Sequence, residues 1–342
     1  MTSVDSMTMA EEAGLNYVTD EIPGFRRVRR GKGFSYVDTE GNPINGTRRQ
    51  WIGSLVIPPA WEQVWISPDR SGHILATGYD QAGRKQYIYH PSWEQVRDEV
   101  KFDRMGDFGR RLPRLRKGID AELRKPGLAR SKVTALAVAV MDRTLIRVGN
   151  RKYAAENDAY GLTTLTCDHV LVDGLHVHLE FAGKGGADHQ VVFRDRRLSG
   201  LIARCQELGG QTLFSYETDE GVNAITSTDV NDYLASVMSG PFTAKDFRTW
   251  GASTSVAEDL MTGPDDLDEE ARLLNAIDAT AERLGNTRAV CRSSYLHPIV
   301  PEAFHSGALQ EAWERSRRGL WTGRAESTVN RLLAGASKGA GR

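Results

Sequence analysis

Four short segments carry residue types that handle phosphate. The first is Leu145-Ile-Arg147-Val-Gly-Asn-Arg-Lys-Tyr153, which continues as Glu156-Asn-Asp-Ala-Tyr-Gly-Leu-Thr-Thr-Leu165. The second is Phe181-Ala-Gly-Lys184-Gly-Gly186, the third Ala244-Lys-Asp-Phe-Arg248-Thr-Trp-Gly251. The fourth is Leu284-Gly-Asn286-Thr-Arg-Ala-Val-Cys-Arg-Ser-Ser-Tyr295. Guanidinium groups are planar, bidentate and permanently charged, so a fixed pair stabilises charge developing on phosphate oxygens. Each residue also has a plainer alternative. Arg147 fits a helix C-terminus facing the macrodipole. Arg248 fits a surface ion pair with Asp246, Lys184 a solvated hairpin, and Tyr295 a core or helix-surface position. Gly183-Lys-Gly-Gly is not a nucleotide phosphate loop, because the G-x-x-x-x-G-K-[ST] pattern is absent.

The net charge of −1 conceals separated blocks of opposite sign. Arg26, Arg27, Arg29, Arg30, Lys32, Arg48 and Arg49 face only Asp38 and Glu40 between Phe25 and Gln50. Lys101 to Lys132 holds eleven basic and four acidic residues, whereas Thr254 to Glu282 holds nine acidic and one basic. Such blocks set up an oriented field, and a polyanion is the natural partner of the basic part. Aromatics interleaved with both basic blocks turn that expectation towards nucleic acid. The acidic block Asp265–Glu270 is expected on a surface loop facing away from the polyanion.

The elements that must position these residues change character along the chain. A length of 342 residues suggests two domains or three, and 40% hydrophobic content suffices for a core. Residues 1–20 read as a flexible tail. Residues 21–91 read as an antiparallel β-sheet domain, with strands at Phe34–Val37, Val64–Ser67, His73–Gly78 and Lys85–Tyr89 between Gly, Pro and Asp turns. From Trp93 the apolar period becomes helical, over Trp93–Gly106, Phe108–Arg124 and Ser131–Val148, with Ser131 as a plausible N-cap. Val133–Met141 is too short an apolar run to cross a bilayer and reads as a buried helix. A small sheet follows at Leu162–Leu165, Val170–Val172, Val177–Phe181 and Gln190–Phe193. Helices then resume from Leu198 to Gly209, Ser227 to Met238, Ala244 to Ala257, Gly263 to Gly285 and Glu302 to Ala334. The expected fold class is α+β: a small sheet domain, then a mainly α domain over residues 92–335 with an embedded sheet, and a frayed tail at 336–342.

The ordered set Arg147, Lys184, Arg248, then Tyr295 nine residues after Gly-Asn286-Thr, closely resembles the type IB DNA topoisomerases of poxvirus and bacterial kind. Gly83-Arg-Lys-Gln-Tyr-Ile-Tyr89 adds to the likeness, which covers about Gly24 to Val300. The resemblance implies a C-shaped clamp that relaxes supercoiled duplex DNA by cutting and rejoining one strand. Tyr295 then matches the nucleophile, whose phenolate stays bonded to phosphorus and stores the bond energy. Arg147 and Arg248 match the two arginines on the nonbridging oxygens. Lys184 matches the general acid, since a deoxyribose 5′ oxygen leaves poorly until protonated. Many relatives carry histidine where this chain has Asn286. Asparagine can donate one hydrogen bond to a nonbridging oxygen but cannot carry charge. Cleavage is therefore expected to depend little on any Asn286-linked group titrating near pH 6–7.

The same resemblance places Arg84, Gln86, Tyr87 and Tyr89 against the major groove, and Lys152, Tyr153 and Lys245 near the phosphate backbone. It implies no metal, no ATP and no other cofactor, a monomer on duplex DNA, and no membrane. His176 and His178 share one strand face, but no third metal ligand is suggested nearby. Cys167, Cys205 and Cys291 form no C-x-x-C, and Met1–Leu15 lacks basic residues, so a reducing cytoplasmic setting, with the nucleoid if bacterial, is expected. The alternative is a site-specific tyrosine recombinase. Such proteins carry an H-x-x-R box and an all-helical first domain, whereas Lys245-Asp-Phe-Arg248 and the β-rich start argue against that reading.

Overall fold

The computed structural model describes residues 3–31, 33–81, 83–264 and 266–339. The chain divides into two units, one ending at Asp103 and one beginning at Arg104. The first holds α1 (Ser3–Glu12), β1 (Phe25–Arg30), β2 (Gly33–Val37), α2 (Gly46–Ser54), β3 (Glu62–Ile66), β4 (Ile74–Tyr79) and β5 (Lys85–Tyr89). The strands form one antiparallel sheet in the order β2-β1-β3-β4-β5. After β2 the turn at Asp38 closes as its carboxylate accepts the backbone N–H groups of Glu40 and Asn42. Phe25, Ile44, Ile52, Val64, Ile66 and Ala76 make the core of this unit.

Two expectations for this unit are corrected. The tail over residues 1–20 is not loose: α1 buries Met9 and Ala10, with Leu15, against Trp93. Asn16 donates its N–H to Ser71 and accepts from the N–H of His73, which ties the segment to the sheet unit. Residues 46–54 lie within the strand-like stretch, yet they form α2, which buries Ile52 in the sheet core.

Next come α3 (Pro91–Leu123), α4 (Arg130–Thr144) and α5 (Arg151–Asn157). Pro91–Trp93 open α3, whose residues 91–103 count with the first unit. Two helices were expected over Trp93–Arg124, but α3 is continuous through Gly106 and Pro113. Ala129, not Ser131, caps α4. Val133 to Val138 are buried in α4, as an all-round apolar helix requires.

A three-stranded antiparallel sheet follows: β6 (Val170–Asp173), β7 (His176–Ala182) and β8 (Asp188–Arg194), in that order. Leu162–Thr164, expected as a strand, is a 3-10 turn, and its N–H groups reach instead to the carbonyls of Arg147 and Val148. After α6 (Arg196–Glu207) an unforeseen hairpin, β9 (Ser215–Thr218) and β10 (Gly221–Ala224), precedes α7 (Ser227–Met238) and α8 (Ala244–Thr262). Then come α9 (Glu269–Arg283), α10 (Arg288–Ser294), α11 (Ile299–His305), α12 (Ala308–Glu314) and α13 (Arg324–Gly339). The single expected helix over Glu302–Ala334 is thus split, with Gly307 in the left-handed region between α11 and α12.

Of the acidic block, Asp265 lies outside the described residues. Asp268 caps α9 by accepting from the N–H of Ala271, and Glu269 and Glu270 occupy its first turn. This part of the block answers the helix dipole rather than forming a loop. Of the expected frayed tail, residues 336–339 continue α13, and residues 340–342 lie outside the described residues.

Candidate active site

Arg147 follows the end of α4, where Leu145 takes the left-handed conformation and turns the chain. The Arg147 carbonyl accepts from Leu162 at 2.8 Å, and that of Val148 from Thr163 at 2.8 Å. Gly161 permits this approach, since a Cβ there would sit 2.6 Å from the Arg147 oxygen. The side chain then donates through Nη2 to Oδ1 of Asn286 at 2.7 Å.

Arg248 stands on α8 and is only 3% exposed. Its Nη1 donates to the Leu145 carbonyl at 2.7 Å and its Nη2 to the Leu284 carbonyl at 2.9 Å. Those residues cap the C-termini of α4 and α9, so one guanidinium answers two helix ends. The surface pair with Asp246 does not form, because that carboxylate caps its own helix through Thr243. The guanidinium carbon lies 4.8 Å from the ring centroid of Tyr295. Burial pushes the Arg248 pKa down, and Tyr295 partly offsets this.

Tyr295 ends α10. Burial by itself would push its phenol up. Arg248, then Arg147 and Lys245, outweigh that, and the net pKa is lower than that of an ordinary tyrosine. The segment is pinned to α8 by Ser253, whose hydroxyl accepts from the N–H of His297 at 2.9 Å. Lys184 stands in the β7–β8 turn, which Gly185 and Gly186 close at positive φ.

Arg147, Lys152, Tyr153, Lys184, Lys245, Arg248 and Tyr295 line one cavity of about 620 Å³. Asn286 joins it through Arg147. Nη1 of Arg147, Nε of Arg248 and Nδ2 of Asn286 are buried donors without an acceptor. Leaving such groups unpaired costs about 1–3 kcal/mol each, a cost that oxygens of a bound anion would offset. Asn150 caps α5 by accepting from the N–H of Tyr153, which sets Lys152 and Tyr153 on the rim.

Arg84, Gln86, Tyr87 and Tyr89 are not in this cavity; they lie on or beside β5 in the first unit. Arg84 and Gln86 both bind the Asp80 carboxylate, at 2.7 and 2.9 Å. Tyr87 and Tyr89 share a strand face and stack with centroids 5.7 Å apart. The rings of His176 and His178 are 6.5 Å apart, and among the described residues no group of three or more His, Cys, Asp or Glu is placed to hold a metal ion. No helix among the described residues is long and apolar enough to cross a membrane. Ser253 and the capping contacts of Arg248 escaped the sequence reading. Ser253 is itself fully buried in α8, and nothing in the local sequence distinguishes it from the neighbouring Thr249, Thr254 and Ser255.

Residues 90–311 match the family model of the eukaryotic DNA topoisomerase I catalytic core. Residues 33–80 match that of the bacterial DNA topoisomerase IB N-terminal domain. DNA topoisomerase 1B of Acanthamoeba polyphaga mimivirus is 32% identical over 297 residues, covering 83% of this chain and 88% of the viral protein. DNA topoisomerase 1B of vaccinia virus strain Western Reserve is 23% identical over 250 residues, 71% of this chain and 75% of its own. DNA topoisomerase 1 of Schizosaccharomyces pombe is 25% identical over 275 residues, 76% of this chain but 32% of its own.

The chain belongs to the type IB DNA topoisomerase family. It is an enzyme of that type, and DNA is its partner.

Proposed function

We propose that the cavity cuts and rejoins one strand of duplex DNA through a covalent 3′-phosphotyrosine. Tyr295 Oη attacks the scissile phosphorus and the 5′ oxygen departs. The P–O bond to Tyr295 Oη replaces the P–O bond to the 5′ oxygen, and the phenol gives up its proton to solvent as it attacks, so no external energy is needed. The observation that carries this reading is the buried trio of donors on Arg147, Arg248 and Asn286 beside a phenol of lowered pKa. Those donors stabilise the nonbridging oxygens as charge develops on them. Lys184 gives its proton to the departing oxygen, and the same groups act in reverse on religation.

While one strand is open, torsion turns the DNA about the other, and supercoils relax one link at a time. Tyr87 and Tyr89 contact the groove, and DNA draws Arg84 and Gln86 off Asp80. The enzyme acts as a monomer. The test is relaxation of negatively supercoiled plasmid in EDTA without nucleotide, by wild type and Tyr295→Phe. Wild type alone should relax it, and denaturant should trap a 3′-phosphotyrosyl adduct. Relaxation by Tyr295→Phe would refute the assignment.

A further inference from the structure

His189 lies on β8 opposite Phe181 of β7, and the two rings stack with centroids 4.9 Å apart and an interplanar angle of 7°. It is 6% exposed. Two backbones press on the same imidazole. A Cβ on Gly183 would fall 2.4 Å from Cδ2 and 2.6 Å from Nε2. One on Gly285 would fall 2.3 Å from Cε1 and 2.6 Å from Nε2. Gly183 immediately precedes Lys184, and Gly285 immediately precedes Asn286. Gly183 has no positive φ, so glycine is needed there for space: the imidazole is the nearest obstacle to a Cβ, and the Ala187 carbonyl follows at 3.3 Å.

We propose that His189 is a positioning residue for strand cleavage: its ring is the spacer that fixes the Lys184 turn relative to the Asn286 turn and the two arginines. The ring fills the space between the two segments, so its bulk sets their separation. A charged ring would not suit the place. Burial, then Arg147 and Arg248, push its pKa below the ordinary histidine value, with Asp188 opposing. Its outer edge lines a hollow of about 410 Å³ with Asp158, Tyr160, His169 and Glu180, and Lys184 tops the adjoining turn. A lysine proton donor is sensitive to position, because proton transfer needs hydrogen-bond reach.

This inference rests on Lys184 being the proton donor, and the test separates the two. Single-turnover cleavage is measured on a duplex with an ordinary scissile phosphate and on one with sulfur as the 5′ bridging atom. A thiolate leaves without a proton, so loss of the donor is silent on the sulfur substrate. His189→Ala should cleave the oxygen substrate about 10- to 100-fold more slowly, short of the roughly 10²–10⁴-fold worth of a whole general acid. It should cleave the sulfur substrate at about the wild-type rate and bind DNA with unchanged affinity. Gly183→Ala, which keeps His189 but drives a Cβ into its ring, should show the same oxygen-selective loss and carries the test if His189→Ala does not fold. Equal losses on both substrates, or none on either, would overturn the positioning role. If Lys184→Ala itself is not rescued by sulfur, the donor assignment fails and this inference with it.

Discussion

Replacing Arg248 by alanine should injure the fold and the chemistry together, by amounts that can be worked from its contacts. The side chain is buried and bonded to two carbonyls, those of Leu145 and Leu284, each at a helix C-terminus. Removing it leaves both acceptors unpaired, at about 1–3 kcal/mol each, and opens a side-chain-sized void. A net loss of about 3 kcal/mol is expected, since relaxation and water entry recover part of the sum. For a unit of this size each kcal/mol shifts the melting point by about 2–4 °C, so Tm should fall by about 6–12 °C. The chemical effect is separate. Loss of one charge-stabilising donor costs about 10²–10³ in rate. Tyr295, still buried but without the cation over its ring, should titrate higher than in the wild type. Arg248→Lys keeps the charge but lacks the fork that spans two carbonyls, so it should recover little of either loss. Calorimetry, single-turnover cleavage and ultraviolet titration of the tyrosines measure the three effects. A Tm within about 1 °C of wild type for Arg248→Ala would refute the capping argument.

The remaining predictions rest on other contacts. His73, His169 and His189 all have pKa values pushed below 6.5, each chiefly by burial. The unfolded chain therefore binds more protons, so their contribution is complete above about pH 6.5 and is lost as pH falls through the folded values; denaturant midpoints measured between pH 7 and 5 should decline accordingly, and a flat profile would contradict this. Glu326→Gln should lower stability by about 3–5 kcal/mol, because its buried carboxylate accepts from Arg116, from the N–H of Gly323 and from Trp250 Nε1; an unchanged urea midpoint would contradict that. Asp80→Ala removes the carboxylate that holds Arg84 and Gln86, so duplex affinity should rise and the slope of log K against log salt should steepen by about one phosphate's worth. Wild-type and Asn286→Ala cleavage should show pH profiles of the same shape between 6 and 7, because an amide does not titrate there; an inflection lost only in the variant would contradict it.

Local chemistry was legible where neighbours in sequence are neighbours in space. Turn residues marked the sheet unit and periodicity the helical one, because Gly, Pro and Asp punctuate β3–β5 while helices such as α7 bury every fourth residue, Val230, Leu234 and Met238. It failed at α1, whose burial depends on Trp93, and at α3, whose Gly106 and Pro113 look like breakers. Gly109 in that helix is a contact rather than a break, since a Cβ there would meet the Trp250 ring at 2.2 Å.

The residues around the cavity divide in the same way. By itself the sequence determined which side chains of the right chemistry exist and in what order: Arg147, Lys184, Arg248, Asn286 and Tyr295, each inside a short recognisable segment. Tertiary structure alone decided what those side chains can do. Arg248 becomes a double helix cap because α4 and α9 end on either side of α8. Asn286 turns its carbonyl to Arg147 and so leaves its amide free to donate. His189 becomes a spacer because two glycine backbones from distant segments close on one ring. The physical reason is common to all three: hydrogen-bond direction and van der Waals contact depend on positions in space to within an ångström, and residue spacing along a chain carries no such distance.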